Sequence, residues 1–198
     1  ESLNVPAYKI ASFEIVDLPL IKYIAKKNKP IFMSTGMASQ EEIQDAVRVV
    51  RENSISDLLL FHCISSYPAV TADSNLKNMT WLAETFGLEV GLSDHTTNNV
   101  AAVTAIGMGA VAIEKHFKLN SEECGPDSSF SLSADELSKL VHDCNNAWAA
   151  KGTASFNRSH SERKNLMFRR SIYFVNNLKK GQRISEQDIR RIRPGFGL

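Results

Sequence analysis

Short apolar runs alternate along the chain with longer amphipathic segments. Residues 8–12 are followed by a helix-period stretch over 17–28, and 30–34 by one over 39–53. The run 58–63 precedes 74–86, 88–92 precedes 98–108, and 110–115 precedes 133–150. Ser39 with Glu42, and Ser133 with Glu136, stand at the spacing of a capping box, which satisfies two orphan amides at a helix start. The strand cores IFM, LLLF and AVAI are nearly all apolar, as in parallel strands covered on both faces. Such βα units at intervals of roughly 20–30 residues predict parallel strands joined by right-handed crossovers.

Beyond Gly152 the pattern changes. Residues 153–164 are polar and basic without an apolar period, and read as a linker. A short strand over 171–175, a turn over 179–181 and a short helix opening at 185–188 follow, as in the start of a small second domain. Charge divides at the same place. Residues 1–150 hold 11 Lys/Arg and 19 Asp/Glu, whereas residues 151–198 hold 12 and 3, so the net +1 of the whole averages an acidic body and a basic one.

With 198 residues, 43% hydrophobic and 23% charged, the composition excludes collagen-like, disordered and disulfide-scaffold classes. Cys63, Cys124 and Cys144 are an odd set without CxxC spacing, which points to a reducing, cytoplasmic setting. The longest apolar stretch, 100–113, falls short of the roughly 18 residues a membrane span needs, and no signal peptide is visible. Neither a membrane nor a nucleic-acid partner is expected. The clusters Arg169-Arg170 and Arg190-Arg191-Ile192-Arg193 lack aromatic interleaving and read as a solvated face or a subunit contact.

The chemistry gathers at the C-terminal ends of the strands, which read KIAS, FMSTG, FHCISS, GLSDH and IEKH. In parallel α/β sheets and barrels that edge carries the ligand site. His95 and His116 follow successive strands and could share a divalent metal, with Asp94, Glu114 or Asp127 completing or orienting the shell; a pair of hydrogen-bonding loop histidines is the alternative. Lys9, Ser12, Ser34 and Ser93 could hold an anion, or the serines could simply cap helices. Gly125-Pro126-Asp127 lies in a long loop over 118–131 that could touch substrate. His62 and Cys63 are adjacent in a strand and point to opposite faces, so they do not form a nucleophile pair.

These stretches, with YKIAS-FEI, KPIFMSTGMAS, FHCISSYPA, VGLSDHT, IEKHFKL and GPDSSFSL in order, resemble the sialic acid synthase family, the phosphoenolpyruvate-condensing nonulosonate synthases. The resemblance continues through RRSIYFVNNLKKGQRISEQDIRRIRPGFGL. It implies the C-terminal five βα units of a TIM (β/α)8 barrel over 1–151, a linker over 152–168, and the beginning of a small antifreeze-like (SAF, β-clip) domain over 169–198. It further implies that His95 and His116 ligate a divalent metal, Mn2+ foremost with Mg2+ or Co2+ as alternatives. Lys9, Ser12, Ser34 and Ser93 match positions that contact the co-substrate phosphoenolpyruvate. Ser65 stands where some members carry Asn, and Glu14, Tyr67 and Asp127 match positions around the amino sugar.

Within the family, GPDSSFSL and IRPGFGL are closer to the branch that makes pseudaminic acid from a 2,4-diacetamido-2,4,6-trideoxyhexose, as used on bacterial flagellins and surface polysaccharides. N-acetylneuraminate or legionaminate synthesis and an inactive half-barrel binding or dimerisation module are the alternatives. The family further implies a domain-swapped homodimer, in which the C-terminal domain of one subunit covers the other's site. An acidic residue on an earlier strand is expected to assist the chemistry, so this stretch alone is expected to be inactive.

Overall fold

The computed structural model describes residues 4–119 and 125–196, so Cys124 and the final GL lie outside the described residues. The chain divides into two units, 1–152 and 153–198. In the first, β1 (Tyr8–Ile10), β2 (Ile31–Ser34), β3 (Leu58–Cys63), β4 (Val90–Asp94) and β5 (Ile113–Lys115) form one sheet in sequence order. Every neighbouring pair is parallel. The connections run through α1 (Leu18–Ala25), α2 (Gln40–Asn53), α3 (Lys77–Phe86) and α4 (Val100–Gly107), and α5 (Ala134–Lys151) follows β5.

Alternation along each strand separates two faces. Ile10, Ile31, Met33, Leu58, Leu60, Val90 and Leu92 join Ile21, Ile43, Val47, Val50, Met79, Leu82, Phe86 and Ile106 in one core between sheet and helices. The other face carries Lys9, Phe32, Phe61, Ser93 and Glu114, linked to one another by ring and polar contacts. Gly91 lies opposite Phe61 in the ladder, and a Cβ there would come within 2.7 Å of the Phe61 ring and 2.8 Å of the Ala112 carbonyl. Only a residue without a side chain lets the large ring lie flat across the strand.

Both anticipated capping boxes form, at Ser39/Glu42 and Ser133/Glu136. Several boundaries differ from the sequence expectation for local reasons. Helix α1 stops at Ala25 rather than 28, where Asn28 turns into the left-handed region at φ 51°. Helix α3 starts at Lys77 rather than 74, because a 3-10 turn over Thr71–Asp73 and Asn75 at φ 39° come first. Strand β4 is shifted two residues onward by the left-handed Gly87 and its connecting pair.

In the second unit, residues 153–168 are more than a linker. They contain α6 (His160–Arg163), opened by a Ser159/Glu162 capping box, and a 3-10 turn over Lys164–Phe168. Strands β6 (Ser171–Phe174) and β7 (Ile189–Ile192) pair antiparallel, with Ser171 opposite Ile192 and Phe174 opposite Ile189. The small helix expected at 185–188 is a 3-10 turn over Glu186–Asp188. This sheet is compatible with the start of an antifreeze-like domain. Arg169, Arg170, Arg190, Arg191 and Arg193 are exposed. Among the described residues, no helix is long and apolar enough to cross a membrane.

Candidate active site

The C-terminal edge of the first unit's sheet encloses a cavity of about 350 Å³ lined by Lys9, Ser12, Ser34, Cys63, Tyr67, Ser93, His95, Glu114, His116 and Asp127, with Ala11 and Phe13. Every strand contributes to it, either from its last residues or from the turn just beyond. A larger cavity of about 840 Å³ lies between α4 and α5; it is lined by Val100, Val103, Leu132 and Ala147 together with asparagines, threonines, Glu136, Lys139 and Asp143, and holds no histidine. The two histidines beside Lys9, Glu114 and Asp127 at the strand ends make the smaller one the candidate active site.

Lys9 anchors one end. Its Nζ donates to Ser34 Oγ at 2.7 Å and stands 3.4 Å from Glu114 Oε1. Ser93 Oγ donates to the same Glu114 oxygen at 2.8 Å. One carboxylate thus holds a lysine and a serine from different strands, and all three side chains line the cavity. Ser12 and Ser65 share a hydrogen bond of 3.1 Å between their hydroxyls. Gly36 closes the β2–α2 turn at φ 51°, so close to them that a Cβ would meet Ser12 Cβ at 2.3 Å and Ser65 Oγ at 2.7 Å.

The two histidines form the other end. Strand β4 ends one residue before His95 and β5 one residue before His116, and their ring centroids lie 5.4 Å apart. His95 Nδ1 bonds the Ile64 carbonyl at 2.9 Å. A carbonyl only accepts, so Nδ1 carries a proton, and in the neutral ring Nε2 keeps its lone pair. His116 Nδ1 faces Asp127 Oδ2 at 3.6 Å, the same polarity of partner. Burial pushes the His95 pKa down, against the opposing effect of its bond to Ile64, and favours the neutral imidazole. Tyr67 lies 4.4 Å from the His95 ring, and Phe130 lies 4.9 Å from the His116 ring and 5.6 Å from Tyr67, all centroid to centroid.

Two imidazoles, each with one ring nitrogen turned to an oxygen acceptor, are a donor set that could hold a divalent metal, with the outer partners orienting the rings. Among the described residues no group of three or more His, Cys, Asp or Glu side chains is placed to hold an ion. His95 and His116 are the two side chains of this cavity that could hold a cation together.

The structure brings Lys9, Ser12, Ser34, Tyr67, Ser93, His95, His116 and Asp127 to this cavity. Ser65 reaches its edge through Ser12. Glu14 does not line it: it ends the 3-10 turn Ser12–Glu14 and is exposed. Cys63 and His62 diverge as expected, with Cys63 in the cavity lining and His62 Nε2 donating to the Ser74 carbonyl at 2.7 Å in the opposite layer. Burial raises the Cys63 pKa, so the thiol is a neutral wall rather than a nucleophile. Sequence reasoning left Phe130 unnoticed and gave Glu114 only a peripheral part. The central part of Glu114, already a candidate at the strand end, could have been read from its i, i+2 spacing to His116, which puts both on one strand face; Phe130 sits in a loop with no periodicity to reveal it.

The chain is similar to known proteins in both sequence and fold. Residues 1–156 match the model of the NeuB family. The chain is 40% identical over 200 residues to a pseudaminic acid synthase of Helicobacter pylori, covering 100% of this chain and 58% of that protein. It is also 40% identical over 202 residues to an N,N'-diacetyllegionaminic acid synthase of Legionella pneumophila, covering 100% and 57%. The crystal structure of N-acetylneuraminic acid synthetase from Leptospira borgpetersenii, in complex with citrate, superposes with a TM-score of 0.77 at 30% identity, over 83% of this chain and 57% of that one. The chain therefore spans under two thirds of the length of these relatives, and its sheet corresponds to part of their barrel. With family model, relatives and fold in agreement, the chain belongs to the NeuB family.

Proposed function

We propose that this chain supplies the site of a nonulosonic acid synthase that condenses phosphoenolpyruvate with a 2,4-diacetamido-2,4,6-trideoxyhexose to give pseudaminic acid and phosphate. The observation that carries the reading is one cavity with a Lys9–Ser34–Glu114–Ser93 donor cluster at one end and the His95/His116 pair at the other. A phosphorylated enol and a sugar aldehyde need those two kinds of partner side by side.

Lys9 and the hydroxyls of Ser12, Ser34 and Ser93 hold the phosphate and carboxylate, aligning C3 of the enol with the aldehyde carbon. Glu114 keeps Lys9 and Ser93 turned inward until the substrate arrives. The new C–C bond leaves an oxocarbenium ion at C2, which water attacks, and phosphate departs with cleavage of its C–O bond. His95 and His116 would hold a divalent metal, Mn2+ foremost, whose Lewis acidity polarises the aldehyde oxygen. Asp127 orients His116 and accepts hydrogen bonds from sugar hydroxyls, while Tyr67 and Phe130 wall the acceptor side.

A homodimer, a capping role for the antifreeze-like unit and a cytoplasmic setting belong to the same proposal. The equal identity to a legionaminic acid synthase favours one alternative acceptor, the legionaminate precursor. The test is an assay of the intact enzyme with phosphoenolpyruvate and each amino sugar, reading released phosphate and product mass. The expected result is turnover with the trideoxyhexose that is lost in His116→Ala. Near-normal, metal-independent turnover by that variant would overturn the assignment.

A further inference from the structure

Behind the two imidazoles, on the helix side of the sheet, lies an ion pair that the proposed chemistry does not use. Lys115 Nζ stands 2.8 Å from Asp94 Oδ2, and the two side chains are 3% and 2% exposed. Lys115 also donates to the Thr96 carbonyl. Asp94 Oδ1 accepts from the Thr96 amide at 2.8 Å. Both chain neighbours of His95 are therefore tied to the residue that precedes His116.

The register gives this link its position. Asp94 and Lys115 are the last partners of the β4–β5 ladder, so each histidine begins where the backbone hydrogen bonds between the two strands end. Beyond them Phe117 meets Leu132 in a single isolated bridge, which restrains the β5 side but not the distance back to β4. The ion pair, with the Lys115 bond to the Thr96 carbonyl, ties the two strands at the point where the histidines leave them. A buried pair is also an expensive way to join strands, since a well-packed apolar pair is often as stable or more so. What the charged pair adds is a link of fixed length and direction.

We propose that Asp94 and Lys115 are positioning residues that set the separation and tilt of the His95 and His116 rings, and thereby the affinity for the divalent cation. The inference rests on the reading of the two histidines as ligands given above. The test uses the intact enzyme and Mn2+ alone, titrated calorimetrically, with the electron paramagnetic resonance line shape of bound Mn2+ as a second readout.

Asp94→Leu/Lys115→Met replaces the pair by apolar groups and leaves no charge stranded. The expected result is a folded protein, by circular dichroism and melting temperature, that binds Mn2+ about 10- to 100-fold more weakly, the range typical of lost outer partners. Asp94→Asn keeps the volume and one acceptor oxygen for Lys115 and, where circular dichroism shows it folded, should weaken Mn2+ by roughly fivefold or more, as part of the same effect. Wild-type affinity and line shape in both variants would overturn the inference while leaving the ligand reading intact. If the unaltered enzyme binds Mn2+ no better than His95→Ala/His116→Ala, the ligand reading fails and the inference falls with it.

Discussion

Replacing Gly36 by alanine puts a methyl group into the turn that joins β2 to α2. The backbone there has φ 51°, and the added Cβ would lie 2.3 Å from Ser12 Cβ, 3.0 Å from Ser12 Oγ and 2.7 Å from Ser65 Oγ. Two separable costs follow. Holding an L-residue in the left-handed region costs about 1–2 kcal/mol, and forcing atoms into a filled site about 1–3 kcal/mol more. Ser65 Oγ can rotate away, but Ser12 Cβ is fixed to its backbone, so most of the steric part falls on Ser12. The sum is about 2–5 kcal/mol, a large share of the roughly 5–15 kcal/mol that holds a domain folded. Urea unfolding of the intact protein measures it through the midpoint at constant slope. In a Ser12→Gly background the steric part should vanish and only about 1–2 kcal/mol remain. The reasoning is refuted if Gly36→Ala costs under about 1 kcal/mol, or costs the same in both backgrounds.

Three other outcomes are expected. Lys9→Ala should raise the KM for phosphoenolpyruvate by about 10- to 100-fold, from the loss of a charged hydrogen bond worth about 1.5–3 kcal/mol; saturation kinetics read it, and an unchanged KM would remove Lys9 from the anion site. His62→Gln should flatten the acid side of the stability profile. Burial holds the His62 pKa below its ordinary value despite the bond to Ser74, so the unfolded chain takes up the proton first, and stability present above about pH 6.5 is lost as pH falls toward the folded value. Glutamine keeps an N–H for the Ser74 carbonyl but cannot titrate; denaturation at about pH 7 and about pH 5 should show a smaller difference than in the wild type, although His95 keeps part of the slope. Ser39→Ala removes the hydroxyl that accepts from the Glu42 amide at 3.2 Å and should lower stability by about 1 kcal/mol with kcat and KM unchanged, as thermal melts and steady-state rates would show.

The parts legible in the sequence are those governed by local rules. Apolar runs of strand length and the Ser39 and Ser133 capping boxes mark the βα units, because each rule acts within a few residues. The strand-end polar residues exposed most of the site for the same reason: they sit one or two places past an apolar run, and parallel topology brings such ends to one edge. What escaped depends on contacts far apart in the chain. Phe130 reaches the His116 ring from a loop, and Glu114 becomes central only because Lys9, from the opposite end of the sheet order, lies 3.4 Å away. Element ends slipped where a single dihedral decides, at Asn28, Asn75 and Gly87. The 3-10 and helical turns over 160–168 carry a capping box in a segment whose composition is that of a linker.

The alternation that separates core from cavity also makes the strand register a checkpoint on assembly. Lys9, Ser93 and Glu114 face the site because their neighbours Ile10, Leu92 and Ile113 contribute to the packed layer beneath the helices. A slip of one residue at any of these strands would turn an apolar side chain into the cavity and a charged or polar one into the core. Such a chain loses its reactive groups and its packing together, so compact but inactive misfolded forms have little to stabilise them. Selection for a sealed core therefore already favours the correct display of the lysine, serine and glutamate, and a substitution that loosens one should be felt in the other.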